Sequence, residues 1–409
     1  MKKVCLLTDH HISINPRTWK EAFYYENRGW DVVILCKWHS RDLLDKDAKI
    51  LEGHSIAYRP FLNMLKEETS PIKRFYYRAM RRIAGDLQRY FKISSGWAIS
   101  HSPQLMYKKA LKEDADLYSA HLECAFFAGR KLVNAGKKVS FDFEDWYSHD
   151  YLVPTRPVKL LASLEKIALN NGVFCTAASD SMAEGLQHYF DCKKPAVIYN
   201  GFSLRENVSE DPEKVQQHML LKVLWFSRTI AHDRGLEFFI DALQQYNNPV
   251  ELHLLGTLGH NYDKYLDKAF PFSKHSLYLH AFIPHHSLQN FISKFQIGLS
   301  IEEHVNENRF LTVTNKILQY LQAGIAVLAS DTKGNQEVAA YFPSSVMVAD
   351  IYKPNEIIRA LECLRKRKAD KMIQRQQFDQ LFSWEAQEKK LDTLLQPLYD
   401  YQEYSYKNS

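Results

Sequence analysis

The sequence predicts an α/β protein with two doubly wound, Rossmann-like domains, and three observations support this fold class. The chain has 409 residues, a length that suggests two or three domains with cores of their own. Short apolar runs alternate with helical patterns in two successive series, which indicates parallel strands with helices on both faces of each sheet. A polar segment of turn residues and mixed charge, 199–217, separates the two series.

The first series opens with a strand at 4–8 and a helix whose two ends are marked in the sequence. Asn15 is placed to cap that helix, Pro16 suits its first turn, and Gly29 suits its end. Further strand-like runs follow at 31–36, 116–120, 138–143, 173–178 and 196–200. Placing the boundary near residue 205 gives a first domain of 1–205.

The second series repeats the alternation and predicts a second domain of 206–382. Its strand-like runs are 222–227, 250–256, 276–282, 296–301, 325–330 and 345–350. The segment 383–409 follows this domain, and it begins with a helical pattern that Ser383 is placed to cap.

A short helix directly before the strand 325–330 has an unusual polar face. Thr314 is placed to cap this helix and Gly324 to end it. Lys316, Gln319 and Gln322 recur every three residues, so they share one face, which we expect to point outward.

Composition excludes several classes of protein. The hydrophobic content of 45%, the charged content of 25% and the net charge of +5 are ordinary for a globular chain and argue against a nucleic-acid binder. Six cysteines lie scattered without a CxxC pair, which predicts free thiols in a reducing compartment. Because no run of 18 apolar residues exists, we expect no membrane-spanning segment and a cytoplasmic location.

The segment 66–92 is more basic than the rest of the chain. It holds eight Lys or Arg residues and three acidic ones, with apolar residues at helical spacing. One interpretation is a basic amphipathic helix that binds an anionic membrane surface, which would make the protein peripheral on the inner face of a membrane. The alternative is a helix of the first domain with a solvated basic face.

Seven stretches, taken in order, carry a resemblance to one enzyme family. They are NPRTWKEA, SAHLECAF, FDFEDW, FSRTIAHDRG, LHAFIPHHSLQNFISKFQIGLS, TNKILQYLQAGIAVLAS and SWEAQEKKL. Together they resemble retaining glycosyltransferases of the GT-B fold, of the family-four kind that use nucleotide sugars, and the resemblance covers nearly the whole chain. It implies two Rossmann-like domains facing each other across a cleft, with a C-terminal helix that crosses back to the first domain.

For the first domain, the resemblance implies contacts with the donor sugar and the acceptor. His121, in SAHLECAF, matches a histidine that the family places against the donor sugar. Glu144 and Asp145, in FDFEDW, stand where the family has His and Glu, on the acceptor side. The sequence therefore departs from the family pattern at the acceptor.

For the second domain, the resemblance implies a site for the nucleotide diphosphate. Arg228 and Arg234 match the Arg and Lys of the family's GRLxxxKG motif, as catalytic cations. Asn315 and Lys316 begin a helix that faces the diphosphate in the family. Gln319 replaces a Glu that holds the nucleotide ribose, so a charge-assisted hydrogen bond becomes a neutral one and we expect altered ribose recognition.

Other donor-binding candidates are less specific. The family's earlier acidic position falls near Glu302, Glu303 or Glu307, and the sequence does not choose among them. Glu337 resembles a family glutamate that closes a loop, and Asn308 resembles a recurrent asparagine. The alternative roles are an ordinary ion pair for Arg228, a solvated lysine at a helix start for Lys316, a core histidine for His121 and a structural role for Glu337.

The implied chemistry is the breaking of a sugar–diphosphate bond. Positive charge develops on the anomeric carbon and negative charge on the departing diphosphate, which fixed cations and a helix N-terminus stabilise. This scheme requires no cofactor and no metal. FDFEDW could instead be a metal-binding, DxD-like motif, and the His pairs at 10–11 and 285–286 lack partners at ligand spacing.

The sequence thus favours a glycosyltransferase of the Leloir type. It would transfer a sugar from a UDP- or GDP-sugar to a glycan or lipid-linked acceptor, with retention. One alternative is a non-catalytic scaffold subunit of the same fold with a degenerate active site. A third hypothesis is a nucleotide-sugar epimerase of similar fold.

Overall fold

A computed structural model describes residues 1–150, 153–204, 220–281, 283–367 and 370–406. The chain forms two compact units, one of Met1–Val197 with Asn306–Asn308, and one of Ile198–Val305 with Arg309–Ser409. The boundary predicted near residue 205 lies at the start of 205–219, outside the described residues.

The first unit is a parallel sheet with helices between its strands. In the described residues its strands are β1 (Lys3–Leu7), β2 (Asp31–Trp38), β3 (Ala57–Asn63), β4 (Leu117–His121), β5 (Val139–Phe143), β6 (Cys175–Ala177) and β7 (Ala196–Val197). Its helices are α1 (Pro16–Asn27), α2 (Arg41–Ile50), α3 (Pro71–Phe91), α4 (Gly96–Ile99), α5 (Pro103–Glu113), α6 (Leu122–Asn134), α7 (Val158–Asn171) and α8 (Asp180–Phe190), with 3-10 turns at Ile12–Ile14 and Tyr147–His149.

The strand order of this first sheet reverses beside β1. The order is β3-β2-β1-β4-β5-β6-β7, and all the pairings are parallel. In doubly wound sheets ligands bind at the carboxyl ends of the strands where the order reverses, here the ends of β1 and β4.

Strand β3 was not predicted from the sequence, and Pro60 lies inside it. Proline cannot donate a ladder hydrogen bond, but β3 is the edge strand, where that loss is tolerated. The pairing with β2 also shifts register, since Cys36 faces Pro60 and Lys37 faces Leu62, leaving Phe61 as an extra residue.

The second unit repeats the architecture. In the described residues its strands are β8 (Leu221–Ile230), β9 (Val250–Leu258), β10 (Ser276–His280), β11 (Ile297–Ser300), β12 (Ala326–Ser330) and β13 (Val346–Ala349). Its helices are α9 (Leu236–Gln245), α10 (Tyr262–Ala269), α11 (His285–Ile292), α12 (Glu307–Leu311), α13 (Asn315–Gln322), α14 (Lys333–Tyr341), α15 (Pro354–Lys366), α16 (Lys371–Leu381) and α17 (Trp384–Tyr406). Residues 307–308 of α12 group with the first unit.

The second sheet is also parallel and doubly wound. Its order is β10-β9-β8-β11-β12-β13, so the reversal lies between β8 and β11. The core is a continuous apolar cluster that includes Trp225, Phe239, Leu254, Leu299 and Leu361. The two doubly wound α/β units that the alternating sequence pattern predicted are therefore confirmed.

Predicted helix ends agree with the structure at several positions. The Thr314 hydroxyl accepts from the Ile317 backbone N–H at 3.4 Å, and Gly324 ends α13 with a φ of 77°. Ser383 caps α17, since its hydroxyl accepts from the Ala386 backbone N–H at 3.2 Å. α17 groups with the second unit, and its predicted crossing to the first domain stays a prediction.

The cysteines agree with the expectation of free thiols. All six lie in the described ranges and none forms a disulfide. In the described part of the chain, no helix combines the length and the apolar character needed to cross a membrane.

Candidate functional site

Lys316 and Glu302 form an ion pair at the carboxyl edge of the second sheet. Lys316 Nζ lies 2.6 Å from Glu302 Oε1 and 5.4 Å from the centroid of the Trp225 ring. Because Trp225 belongs to β8 and Glu302 follows β11, the lysine lies where the strand order reverses. Of the three acidic candidates, Glu302 is the one that contacts the predicted cation Lys316.

A buried polar network fixes the helix start that carries Lys316. The Ser300 hydroxyl lies 3.0 Å from the Thr314 hydroxyl, so the last residue of β11 contacts the cap of α13. The Asn335 amide donates to the Ser330 carbonyl at 2.9 Å and to the Ser300 carbonyl at 3.3 Å. Thr332 caps α14 by accepting from the Asn335 backbone N–H. These bonds hold the N-termini of α13 and α14 at the same edge of the sheet.

Arg228 lies on β8 next to a break in strand pairing. The register between β8 and β9 shifts between Phe226 and Thr229, so Ser227 and Arg228 form a β-bulge. Gly256 permits it, because a Cβ there would lie 2.0 Å from the Ser227 carbonyl oxygen and its φ is +145°. A bulge re-aims side chains, and the Arg228 side chain is exposed.

The two predicted arginines are unpaired within the described residues. Arg234 is exposed in the turn after β8, directly before Gly235. Neither Arg228 nor Arg234 has a carboxylate partner among the residues that the structure describes, so both guanidinium groups are accessible to an anionic ligand.

The polar face of α13 is buried, which corrects the expectation that it points outward. Gln319 is 6% exposed and Gln322 is 1% exposed. The Gln322 amide donates to the Ser203 carbonyl at 3.1 Å, so this glutamine is structural. The Gln319 side chain has no hydrogen-bond partner among the described residues. Asn315 is exposed, and its Oδ1 accepts from Asn200 at 2.9 Å.

The remaining acidic candidates occupy three different settings. Glu303 accepts from the Gly235 backbone N–H at 3.2 Å, and partial burial raises the pKa of its carboxyl. Glu307 is exposed at the start of α12. Glu337 accepts a 2.6 Å hydrogen bond from the Tyr199 hydroxyl. The structure thus brings Glu302 to Lys316, and Glu303 to the turn that carries Arg234.

In the first unit, His121 is surrounded by carboxylates. Its Nε2 lies 2.9 Å from Glu21, and its Nδ1 lies 3.2 Å from Asp142 and 3.3 Å from Glu144. Arg17 donates two hydrogen bonds to Asp142, one of them at 2.7 Å. Although burial by itself favours the neutral ring, the carboxylates hold the pKa of His121 well above its usual range.

Glu144 and Asp145 differ in accessibility. The Glu144 side chain is 18% exposed, and its Oε1 accepts from the Asn15 amide at 3.1 Å. Asp145 accepts from the Asn308 amide at 3.0 Å, and burial raises the pKa of its carboxyl. Asn308 also accepts from the Trp146 backbone N–H at 2.8 Å. The structure therefore places Asn308, predicted to bind the donor, against the first unit's β5 end.

Glu21, His121 and Asp142 have atoms suited to a metal ion, all within 4.8 Å of one another. However, Arg17 already supplies positive charge to Asp142, and both ring nitrogens of His121 face carboxylates. An imidazolium and the Arg17 guanidinium together match the two charges of Glu21 and Asp142 without an added cation. Sequence reasoning missed Arg17 and Glu21, although their spacing of four on α1 puts them on one helical face.

Glu165 is a second group that the sequence did not indicate. It is buried on α7 with Oε1 accepting from the Ser148 backbone N–H at 2.9 Å. Its Oε2 is buried without a hydrogen-bond partner among the described residues. Burial raises the pKa of this carboxyl to about 7 from its ordinary value of 4.5.

We expect the Glu165→Gln substitution to stabilise the protein above pH 7. The folded state binds the Glu165 proton more tightly than the unfolded state, so this carboxyl costs stability as pH rises from 4.5 to 7. The cost reaches about 3 kcal/mol, which the neutral amide avoids. Urea unfolding at pH 5 and pH 8, with exposed Glu52→Gln as control, measures it. An advantage that does not grow with pH would contradict the assignment.

Several solved structures share the fold of this chain. HepE (Alr3699) of Anabaena, solved in complex with UDP, is 14% identical, and the match covers 97% of this chain and 100% of that chain with a TM-score of 0.66. The α,α-trehalose 6-phosphate synthase of Burkholderia multivorans is 12% identical, with 99% and 98% covered and a TM-score of 0.64. At these identities the matches show the fold, and the predicted GT-B fold is confirmed.

The same fold also occurs in a structure assigned to a different activity. A Listeria monocytogenes protein assigned as a UDP-N-acetylglucosamine 2-epimerase is 12% identical, with 98% of this chain and 97% of that chain covered and a TM-score of 0.55. No protein-family model and no curated protein sequence matches the chain.

Proposed function

We propose that this chain, which has the GT-B fold, is a glycosyltransferase that moves a sugar from a nucleotide-sugar donor to a hydroxyl acceptor. The observation that carries the proposal is the position of Lys316 beside Trp225, where the strand order of the second sheet reverses. Trp225 lies on β8, the strand that also carries exposed Arg228. HepE, of the same fold, is solved with UDP and with UDP-glucose, so a UDP-sugar is the first donor to test.

The second-unit cations would stabilise the leaving diphosphate. Negative charge grows on the bridging oxygen as the sugar–phosphate bond breaks, and donors fixed near that oxygen lower the barrier. Arg228 offers a planar fork suited to phosphate oxygens, and Arg234 offers a second guanidinium. The N-terminus of α13 adds backbone N–H groups and the positive end of a helix dipole.

The positive charge of Lys316 is already paired with the Glu302 carboxylate, and its proposed role follows from this pairing. A donor phosphate would share the lysine with this carboxylate, so Glu302 would orient the ammonium group while Arg228 supplies uncompensated positive charge. Gln319, one turn into α13, would bind a ribose hydroxyl through its amide oxygen.

The proposal also states the configuration of the new glycosidic bond and whether the reaction needs a metal ion. Retention of configuration rests on the family resemblance of the motifs. The proposed scheme needs no metal because arginine, lysine and backbone N–H groups meet the diphosphate charge. The acceptor would be a glycan or a glycolipid that reaches the carboxyl edge of the first sheet near Glu144.

A non-catalytic scaffold and an epimerase are the competing functions. The scaffold hypothesis draws on the replacement of a glutamate by Gln319, and the accessible Arg228 and Arg234 oppose it. The epimerase hypothesis draws on the Listeria structure of the same fold. Both an epimerase and a transferase would bind UDP, so binding alone does not separate them.

A panel of UDP- and GDP-sugars separates the three functions. We expect one donor to raise the melting temperature and to be hydrolysed slowly without acceptor, releasing the nucleoside diphosphate and free sugar. Epimerised sugar as the first product would support the epimerase. Stabilisation without turnover of any donor would support the scaffold, and no stabilisation by any nucleotide would defeat the proposed donor site.

Helix α3 provides a surface for the proposed lipid-linked acceptor. Ile72 is 82% exposed and Phe75 is 72% exposed, and Ile83, Tyr90 and Phe91 are exposed on the same helix. Exposing this many apolar side chains to water on one helix is unfavourable. The basic residues of 66–92 lie in the same segment. An anionic lipid surface would accept both the apolar and the basic groups, so a peripheral membrane contact is part of the proposal.

Charge reversal on α3 tests this contact. We expect the triple change of Arg78, Arg82 and Arg89 to Glu to release the protein from phosphatidylglycerol vesicles, because each cation contributes about 1 kcal/mol near an anionic surface. Arg81 is left unchanged because it donates to the Trp97 carbonyl at 2.9 Å and is structural.

The matched control is reversal of three exposed lysines on α5, Lys108, Lys109 and Lys112. Vesicle sedimentation should show retained binding for this control and loss for the α3 variant. If wild type fails to bind the vesicles, or if both variants lose binding equally, the basic face of α3 is only a solvated surface.

A further inference from the structure

Four charged side chains are buried together at the carboxyl edge of the first sheet. Arg17, Glu21 and Asp142 are each 7% exposed or less, and His121 is 0% exposed. Burying ionised groups is costly unless each is paired, so the arrangement requires an internal balance of charge. The proposed donor site in the second unit makes no use of these four side chains.

The contacts of His121 favour protons on both of its ring nitrogens. The Ser119 hydroxyl lies 3.3 Å from Nε2, but it donates its proton to Glu21 at 2.7 Å. Glu21 faces Nε2 at 2.9 Å, whereas Asp142 and Glu144 face Nδ1 at 3.2 and 3.3 Å. A neutral imidazole has one N–H, so one nitrogen lone pair would face a carboxylate. An imidazolium donates on both sides. With Arg17 it supplies two positive charges against three carboxylates.

The same contacts fix the orientation of Glu144. Its Oε1 accepts from the Asn15 amide at 3.1 Å and faces the His121 ring at 3.3 Å. Its Oε2 has no partner among the described residues, and the side chain is partly exposed. Glu144 is therefore held through one oxygen and presents the other at the edge of the sheet.

We propose that His121 is a positioning residue, a buried imidazolium that holds the Glu144 carboxylate so that its free oxygen accepts a hydrogen bond from a hydroxyl of a sugar ligand. The ligand class follows from the chemistry of an ionised carboxylate, which accepts hydrogen bonds and donates none. Because carboxylates face both ring nitrogens of His121, neither nitrogen is available to contact the donor sugar. The identity of the ligand rests on the proposed function. The charge of His121 and the orientation of Glu144 are independent of it.

The charge state is tested first, on the intact wild-type protein. Long-range ¹H–¹⁵N correlation at pH 8 reports which ring nitrogens carry protons, and the signals lost in His121→Gln identify the ring among the 17 histidines. We expect both His121 nitrogens to be protonated. A single protonated nitrogen at pH 8 would overturn the proposal.

The orientation of Glu144 is tested by crystal structures of wild type and His121→Gln. We expect Glu144 to leave Asn15 in the variant, because the amide does not supply a positive charge. Glu144 in an unchanged position would overturn the positioning role. His11→Gln is the matched control, since His11 is also buried in the first unit and contacts one carboxylate, Asp47, at 2.5 Å.

Kinetics on UDP-glucose give the consequence for turnover. We expect His121→Gln and Glu144→Gln each to lower kcat about 10- to 100-fold, the loss for one hydrogen bond to a charged group. The double variant should lose no more, and KM for UDP-glucose should not change. Additive losses with a raised KM would place His121 on the donor and overturn the proposal. If wild type turns over no donor of the UDP- and GDP-sugar panel, the proposed catalytic function is defeated, while the NMR and crystallographic tests still decide this inference.

Discussion

Replacing Arg228 by alanine is expected to abolish the stabilisation of the protein by UDP and to lower sugar transfer on the order of 10²–10³-fold. The guanidinium is exposed beside the β-bulge at the strand reversal and has no carboxylate partner among the described residues. Its loss removes positive charge from the place where we propose the diphosphate binds. Thermal shift with UDP and the rate of UDP-sugar turnover measure both effects.

The control for Arg228 is another exposed arginine of the second unit, Arg359 on α15. Arg359→Ala should keep the full UDP shift. Arg228→Lys should retain part of it, because lysine keeps the charge and loses the planar fork. An undiminished UDP shift in Arg228→Ala would move the donor site elsewhere.

Replacing Asp142 by alanine is expected to destabilise the protein by about 3–5 kcal/mol, the cost of breaking a buried ion pair. Asp142 accepts hydrogen bonds from Arg17 and from the Thr176 hydroxyl at 2.6 Å, and it faces His121. Although burial opposes its ionisation, Arg17 and His121 hold the pKa of this carboxyl well below its usual range. Its removal takes away the carboxylate to which the buried Arg17 guanidinium donates two hydrogen bonds.

Urea unfolding at pH 7 measures this loss. Exposed Asp45→Ala on α2 is the control and should change stability by less than about 0.5 kcal/mol. The destabilisation by Asp142→Ala should also shrink below pH 4, because the unfolded wild-type chain then binds a proton at Asp142 that the folded state does not. If Asp142→Ala loses no more stability than Asp45→Ala, the buried charges do not depend on Asp142 for their stabilisation.

Local sequence signals predicted the elements well, because their causes are local. Thr314 and Gly324 bound α13 through a hydroxyl cap and a left-handed backbone, and both features are visible in the residue types. The alternation of apolar runs predicted both parallel sheets for the same reason. Strand β3 was not predicted. It contains Pro60, which is tolerated because β3 is an edge strand, and the sequence does not show which strand lies at the edge.

The site was predicted less completely, because burial and charge depend on residues distant along the chain. Gln319 was expected to face outward but is buried, since spacing on a helix says which residues share a face and not what covers it. His121 was singled out by resemblance, yet its carboxylate neighbours come from α1 and β5. No sequence pattern indicated Glu165, because its raised pKa comes mainly from burial, which only the folded chain creates.

The crystal structure of this chain with UDP tests the central claim most directly. The account predicts that the diphosphate lies within hydrogen-bond distance of the Arg228 guanidinium, with its oxygens at the N-terminus of α13 and the Lys316 ammonium group shared with Glu302. UDP bound away from the carboxyl ends of β8 and β11, with Arg228 and Lys316 both free of phosphate, would contradict it.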